Sequence, residues 1–350
     1  MSFVASRIAR SGGQSMASHR PKAIFLNSAR LDYDGKLDFS RLNSLTKLSC
    51  NKVDNVTDVD EIVSLVERSE AEIVITKEME VPQAALERFP STVKLLCEAG
   101  TGYNNIPIEL ARSKHMDVCN IPTYSNESVA HMVITYIMNF AAAIFQQSKM
   151  LHDGDKTNFH VFQHPIYEIT GKTLGLVGGS GTIGTAVTDI ALPLGMNVLI
   201  SSRSTSNQLP KEHKYHNHSR VKVVPLQELF HSSDYVSVHT PLNAQTRHSI
   251  RDSHIRSMKS TAFLINTARG AIIHEQELIQ CLKENVIAGA GLDTQEIEPP
   301  PDDSDLWNLE NVFLTPHIGW RRLETRQRLV DMTADNIHAY ITNKKLNVVN

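Results

Sequence analysis

Residues 171–203 read "GKTLGLVGGSGTIGTAVTDIALPLGMNVLISSR". An apolar strand, Leu174 to Val177, runs into a glycine turn, then a helix-forming run, then a second apolar strand. This order within about thirty residues is the opening of a unit that binds dinucleotides. Gly179, Gly181 and Gly184 fit the pattern GxGxxG, with Gly178 as an alternative first glycine because the turn is one residue longer than usual before its second glycine. The first glycine permits the tight turn, the second lets a pyrophosphate approach the backbone, and the third lets helix and strand pack closely. Phosphates then sit at the helix N-terminus, where free N–H groups and the helix dipole favour negative charge.

The end of the second strand carries an omission. An acid about 20 residues past the glycine turn normally bonds the ribose of NAD, whereas NADP needs its 2′-phosphate accommodated. No acid lies between Asp189 and Glu212, and Ser202-Arg203-Ser204 occupies the expected place. Two hydroxyls and a guanidinium supply donors and charge to a phosphate, which a carboxylate would repel. The expected cofactor is therefore NADP(H), with NAD(H) retained as the alternative in which Arg203 is only a surface residue.

Around this unit the chain has 350 residues, enough for about two domains at roughly 150 each. A net charge of -3 gives no basic field for nucleic acid. Cys50, Cys97, Cys119 and Cys281 are far apart with no CxxC pair, which reads as free thiols in a reducing compartment. The longest apolar run, "HMVITYIMNFAAAIF" from His131, is shorter than the ~20 residues of a membrane span and reads as a buried helix. The first 31 residues contain no acid, four Arg and six Ser. That composition suits a transit peptide, a disordered tail, or translation from Met16. The expected location is the cytoplasm, or an organelle if residues 1–20 are a targeting signal.

Before the nucleotide unit, "KAIFLNS", "AEIVIT", "TVKLLCEAGTGYNN" and "MDVCNIP" supply strands, with the 59–67 region helical. Alternating strands and helices imply a parallel sheet. Asn126 is expected to cap one long helix, from 126 to about 150, with Val129, Val133, Tyr136, Phe140 and Ile144 inward. A polar segment, 151–168, leads into the second series. After Trp320, Leu323, Val330, Ala334, Ile337 and Ile341 share a helical face, so a last helix should pack back on the first domain. The fold expected is α/β with two doubly wound, Rossmann-like domains. The parts are a tail (1–21), the first stretch of a substrate domain (22–123), an inserted NAD(P)-binding domain (124–317), and a returning helix (318–350).

Five segments in order, "AGTGYNN", "VHTPLNAQTRHSI", "FLINTARGAIIHEQEL", "AGAGLDTQEIEPP" and "LTPHIGW", resemble the D-isomer-specific 2-hydroxyacid dehydrogenases. The look is nearest the glyoxylate/hydroxypyruvate reductases, and the likeness runs from Lys22 to the end. It implies a discontinuous, flavodoxin-like substrate domain and a homodimer. It also implies that Arg269 anchors the substrate carboxylate and polarises the carbonyl, that His317 donates the proton, and that Glu298 is its partner. Gly100, Thr101 and Gly102 would hold the carboxylate. Thr182, Ile183, Thr240, Pro241, Thr267, Ala268 and Asp293 would contact the cofactor, Asp293 at the nicotinamide amide.

These residue types suit the reaction in their own right. Reducing a 2-oxo acid requires a hydride, a proton for the carbonyl oxygen and a cation for the carboxylate. Histidine titrates near working pH, and arginine presents a planar fork matched to a carboxylate. His213, His216 and His218 in "EHKYHNHSR" could suggest metal but lack a fourth ligand, so no metal is expected. No appended regulatory domain of the kind found in many phosphoglycerate dehydrogenases is expected. The rival reading is a nucleotide-sensing binding protein like the C-terminal-binding transcriptional corepressors, without physiological turnover. The expected partner is a small 2-oxo or 2-hydroxy acid, with no nucleic acid and no membrane.

Overall fold

The structure is a computed structural model that describes residues 20–161, 163–202 and 208–350. Two parallel sheets account for its strands. The first holds β1 (Lys22–Phe25), β2 (Lys47–Cys50), β3 (Ile73–Thr76), β4 (Leu95–Glu98) and β5 (Asp117–Cys119) in the order β2-β1-β3-β4-β5. The second holds β6 (Thr173–Val177), β7 (Asn197–Ser201), β8 (Val221–Val223), β9 (Tyr235–Val238), β10 (Phe263–Asn266), β11 (Gly289–Leu292) and β12 (Val312–Leu314). Its order is β12-β11-β10-β9-β6-β7-β8. Central strands such as β3, β4, β9 and β11 are buried throughout, as parallel strands covered on both faces must be. Edge strand β2 is largely exposed, and its polar "KLSC" is why alternation does not reveal it.

The helices are α1 (Ser40–Leu45), α2 (Val59–Arg68), α3 (Gln83–Arg88), α4 (Ile108–Ser113), α5 (Asn126–Ala142), α6 (Ile144–His152), α7 (Thr182–Ala191), α8 (Leu226–Ser232), α9 (Asp252–Ile255), α10 (Glu275–Lys283) and α11 (Leu323–Ile341). α5 joins the core of the second sheet through Val133, Tyr136, Ile137 and Phe140. α11 returns to the first sheet, where Leu329, Val330, Ala334 and Ile337 pack with Phe25, Ile75 and Leu95. Each such buried side chain is worth roughly 1.5–3 kcal/mol. The buried Arg326 of α11 adds a forked ion pair to Asp34, at 2.9 and 2.7 Å. That guanidinium holds the Asp34 carboxyl down at about 2.

The chain departs from its sequence pattern in three places. The single helix expected over 126–150 is two helices, bent by 62° at Ala143, whose φ is 49°. Alanine is the best helix former, so the break is tertiary in origin: Asn139 Oδ1 accepts from Phe145 N at 3.0 Å and Phe145 stands edge-on to Phe313. Consequently Ile144 is 57% exposed instead of inward. Asn126 does not cap α5, since Ser125 is the N-cap residue and the side-chain Oδ1 of Asn126 accepts from the Thr182 hydroxyl at 3.3 Å. Leu323, at the start of α11, is exposed. No single helix among the described residues is long and apolar enough to cross a membrane.

Candidate active site

In open parallel sheets ligands bind beyond the carboxyl ends of the strands, where the strand order reverses. In the second sheet that point lies between β6 and β9. Gly178 follows β6 with φ 78°, and a Cβ there would lie 2.7 Å from Thr240 Cγ2. Gly178 thus makes the left-handed turn, while Gly179 and Gly184 make the close approach: a Cβ on Gly184 would lie 2.4 Å from the Gly179 carbonyl oxygen. Gly181, the N-cap of α7, faces open space, its nearest neighbour being Gly178 O at 3.7 Å.

Thr182 opens α7 and Ile183 packs partly into the core. Across the reversal, Thr240 and Pro241 follow β9, and Thr267 and Ala268 follow β10. The Thr240 and Thr267 hydroxyls and His239 Nε2 are buried with no partner among the described residues. Buried polar atoms nearly always have one, so these orphans and the open helix N-terminus fit a nicotinamide dinucleotide. Burial also pushes the His239 imidazole down to about 4. Ser202 is half-buried just past β7, whereas Arg203 and Ser204 lie outside the described residues. Among the described residues no His, Cys, Asp or Glu cluster could hold a metal. His213, His216 and His218 contact Thr185, the Leu209 carbonyl and the Arg220 amide instead.

Arg269, Glu298 and His317 meet in one cleft of about 860 Å³. His317 Nδ1 lies 2.8 Å from Glu298 Oε2, while Glu298 Oε1 accepts from Gln295 N at 3.2 Å. The carboxylate is thereby pinned to the backbone and fixes the ring tautomer, leaving Nε2 for the cleft. Arg269 hangs from the end of β10: Asn266 Nδ2 donates to its carbonyl at 2.9 Å, and its own Nη1 donates to Ala268 O at 2.7 Å. Asp293 has a different placement from a free cofactor contact. It is 1% exposed and accepts from Ile318 N at 2.9 Å, Gly319 N at 2.8 Å and the Thr315 hydroxyl. It therefore clamps the loop that carries His317.

The first sheet supplies the opposite wall. Of Gly100, Thr101 and Gly102, only Gly102 lines the cleft; a Cβ there would lie 2.3 Å from Arg269 Nη2. Gly100 lies instead against Glu98 and Lys77, and the Thr101 hydroxyl donates to Ile121 O at 2.9 Å. Sequence reasoning missed Lys77, Glu78 and Glu98. Glu78 Oε1 stands 3.7 Å from His317 Nε2 and 2.8 Å from Lys77 Nζ. Lys77 is wholly buried, its ammonium 3.8 Å from the Trp320 ring centroid. Burial opposes charge on Glu78, but Lys77, His317 and Arg269 outweigh it and hold its carboxyl well below the usual range. Burial pushes the Glu98 carboxyl up. The available signal was "KE" directly after the apolar "IVIT", since charge at the carboxyl end of a buried parallel strand faces the ligand crevice.

The family model described as D-isomer specific 2-hydroxyacid dehydrogenase, NAD binding domain, matches residues 134–319. A hydroxypyruvate reductase of Blautia hydrogenotrophica is 31% identical over 319 residues, covering 90% of this chain and 96% of that protein. A glyoxylate reductase of Korarchaeum cryptofilum is 35% identical over 289 residues, 82% of this chain and 81% of its own. Among solved structures, an acyclic imino acid reductase in complex with NADPH and D-Arg superposes with a TM-score of 0.80. It is 27% identical, and the match covers 94% of this chain and 99% of that one. A cofactor face, a paired Glu298–His317 and an opposed Arg269, together with relatives that span nearly the whole chain, lead to one conclusion: the protein belongs to the D-isomer-specific 2-hydroxyacid dehydrogenases, enzymes that use a nicotinamide cofactor.

Proposed function

We propose that this enzyme reduces a small 2-oxo acid, such as glyoxylate or hydroxypyruvate, to the D-2-hydroxy acid, with a preference for NADPH. The observation that carries the reading is the Glu298–His317 pair at 2.8 Å, facing Arg269 across one cleft. Bound in the cleft, the reduced nicotinamide would supply a hydride. Arg269, its fork held between Gly102 and the end of β10, binds the substrate carboxylate and withdraws electron density from the carbonyl. His317 passes its Nε2 proton to the carbonyl oxygen. Glu298 offsets the ring's positive charge until that transfer. Gly181, Thr182, Thr240 and Thr267 are the residues proposed to hold the cofactor, and Asp293 contributes by fixing the loop before Gly319.

Preference for NADPH rests on Ser202-Arg203-Ser204 in place of an acid, and the acyclic imino acid reductase, solved with NADPH, is consistent with it. A homodimer is proposed as well, with α5 and the cofactor domain at its interface. The deciding measurement is the rate of NADPH and NADH oxidation with glyoxylate, hydroxypyruvate and longer 2-oxo acids. Faster oxidation of NADPH with the smallest acids is expected. A preference for NADH removes the cofactor assignment, and absence of turnover with every acid favours the nucleotide-sensing alternative.

A further inference from the structure

The first sheet reverses its strand order between β1 and β3, so its own ligand crevice opens there. The residues at that point are held with unusual thoroughness. From the end of β1, Asn27 accepts from Lys77 N at 2.9 Å and donates to Lys77 O at 2.7 Å. From the end of β4, Glu98 accepts from Glu78 N at 2.9 Å and from the Thr76 hydroxyl at 2.8 Å. Clamped on both sides, Glu78 takes φ 51°, a left-handed conformation in which a residue with a Cβ is strained. Such local strain persists where the surroundings over-determine it and collects at functional sites. Its effect is to turn the Glu78 carboxylate into the cleft, beside Nε2 of His317.

A carboxylate in that position is an acceptor with nothing to donate. The buried Lys77 ammonium engages one oxygen from behind at 2.8 Å, and Arg30 Nη2 approaches the other at 3.4 Å. A carboxylate has about four lone-pair sites, so capacity remains on the side facing the cleft. Like charge keeps the substrate's own carboxylate away from Glu78 and turns it toward Arg269. The carbonyl oxygen must come within hydrogen-bond reach of Nε2, which lies 3.7 Å from Glu78. The substituent on the carbon next to the carbonyl then falls at Glu78.

We propose that Glu78 is a specificity-determining residue that accepts a hydrogen bond from a hydroxyl on the carbon adjacent to the reacting carbonyl, selecting 3-hydroxy-2-oxo acids such as hydroxypyruvate over their alkyl counterparts such as pyruvate. The inference rests on the reading of the site as a 2-oxo acid reductase. A site built to bond a substrate hydroxyl discriminates strongly against an analogue that lacks it, and one bond to a charged acceptor corresponds to roughly tenfold to a hundredfold.

The test compares kcat/KM for hydroxypyruvate, pyruvate and glyoxylate in the unmodified enzyme and in Glu78→Gln. Hydroxypyruvate is expected to exceed pyruvate by at least about tenfold. In Glu78→Gln that ratio should collapse through a raised KM for hydroxypyruvate, because any change passed through His317 acts on both acids alike and cancels in the ratio. Equal rates for the two acids in the unmodified enzyme, or an equal loss for both in the variant, overturn the proposal. Glyoxylate has no adjacent carbon, so its turnover tests the reductase reading separately. If no acid is reduced, that reading falls, and calorimetric titration of D-glycerate against D-lactate with cofactor present decides the role of Glu78. The same titration on the unmodified protein serves if Glu78→Gln does not fold. Tighter D-glycerate upholds the proposal, and equal affinity sinks it.

Discussion

His317 holds its ring between two carboxylates, Glu298 at 2.8 Å on Nδ1 and Glu78 at 3.7 Å on Nε2. Reduction needs the protonated ring, which gives its proton to the carbonyl oxygen. Reduction uses the protonated ring and oxidation of the hydroxy acid the neutral one, so their pH–rate profiles should slope in opposite directions. Glu298→Gln, which removes the carboxylate held against Nδ1, should lower kcat for reduction while leaving NADPH binding intact. His317→Ala should lose that pH dependence and on the order of 10²–10⁴-fold in rate, while still quenching or shifting NADPH fluorescence on binding. A His317→Ala enzyme with an unchanged pH–rate profile would exclude the assignment. For Arg269→Lys, charge is kept but the paired donors go. Steady-state kinetics should show kcat/KM down by roughly tenfold to a hundredfold.

Elements explain why part of the site was readable and part was not. The glycine turn, "NTARG" and "PHIG" are local strings whose meaning lies in their spacing, so the second sheet's contribution stood out. The charge directly after "IVIT" was the one local mark of Glu78, but what turns it into the cleft is Asn27 on Lys77 and Glu98 on its own N–H, some fifty and twenty residues away along the chain. The bend at Ala143 was illegible for a similar reason, because its cause is Asn139 and Phe313. That bend makes a prediction. Ala143 sits at φ 49°, where glycine is free of the Cβ clash, so Ala143→Gly should stabilise by about 1 kcal/mol in urea unfolding. A second concerns the end of β9. His239 binds its proton near 6.5 when unfolded and at about 4 when folded. The folded state's advantage is complete above the first value and lost as pH falls toward the second. The cofactor-free protein should weaken over that window, by on the order of 2 kcal/mol given that the residue is partly exposed. His239→Asn should flatten the decline in a series of urea midpoints.

At the scale of the molecule, Met138, Ile144, Phe145, Phe159 and Ile166 are all exposed along α5, α6 and the segment that follows. Exposed apolar side chains gathered in one region mark an interaction surface. Light scattering at micromolar concentration should give the mass of a dimer, and Phe145→Glu should shift it toward the monomer. Where α11 lies has a consequence of another kind. Residues of β1 through β5 share a core with Leu329 and Ile337, and beyond α11 Val349 N still bonds Val118 O at 2.9 Å. The sheet made first during translation thus waits for the helix made last, more than two hundred residues later, or on the order of tens of seconds at about 5–20 residues per second. The intervening sheet, contiguous in sequence, closes its core while the first is still open. On the ribosome this chain matures from the middle outward, and its earliest strands are the ones most in need of a chaperone.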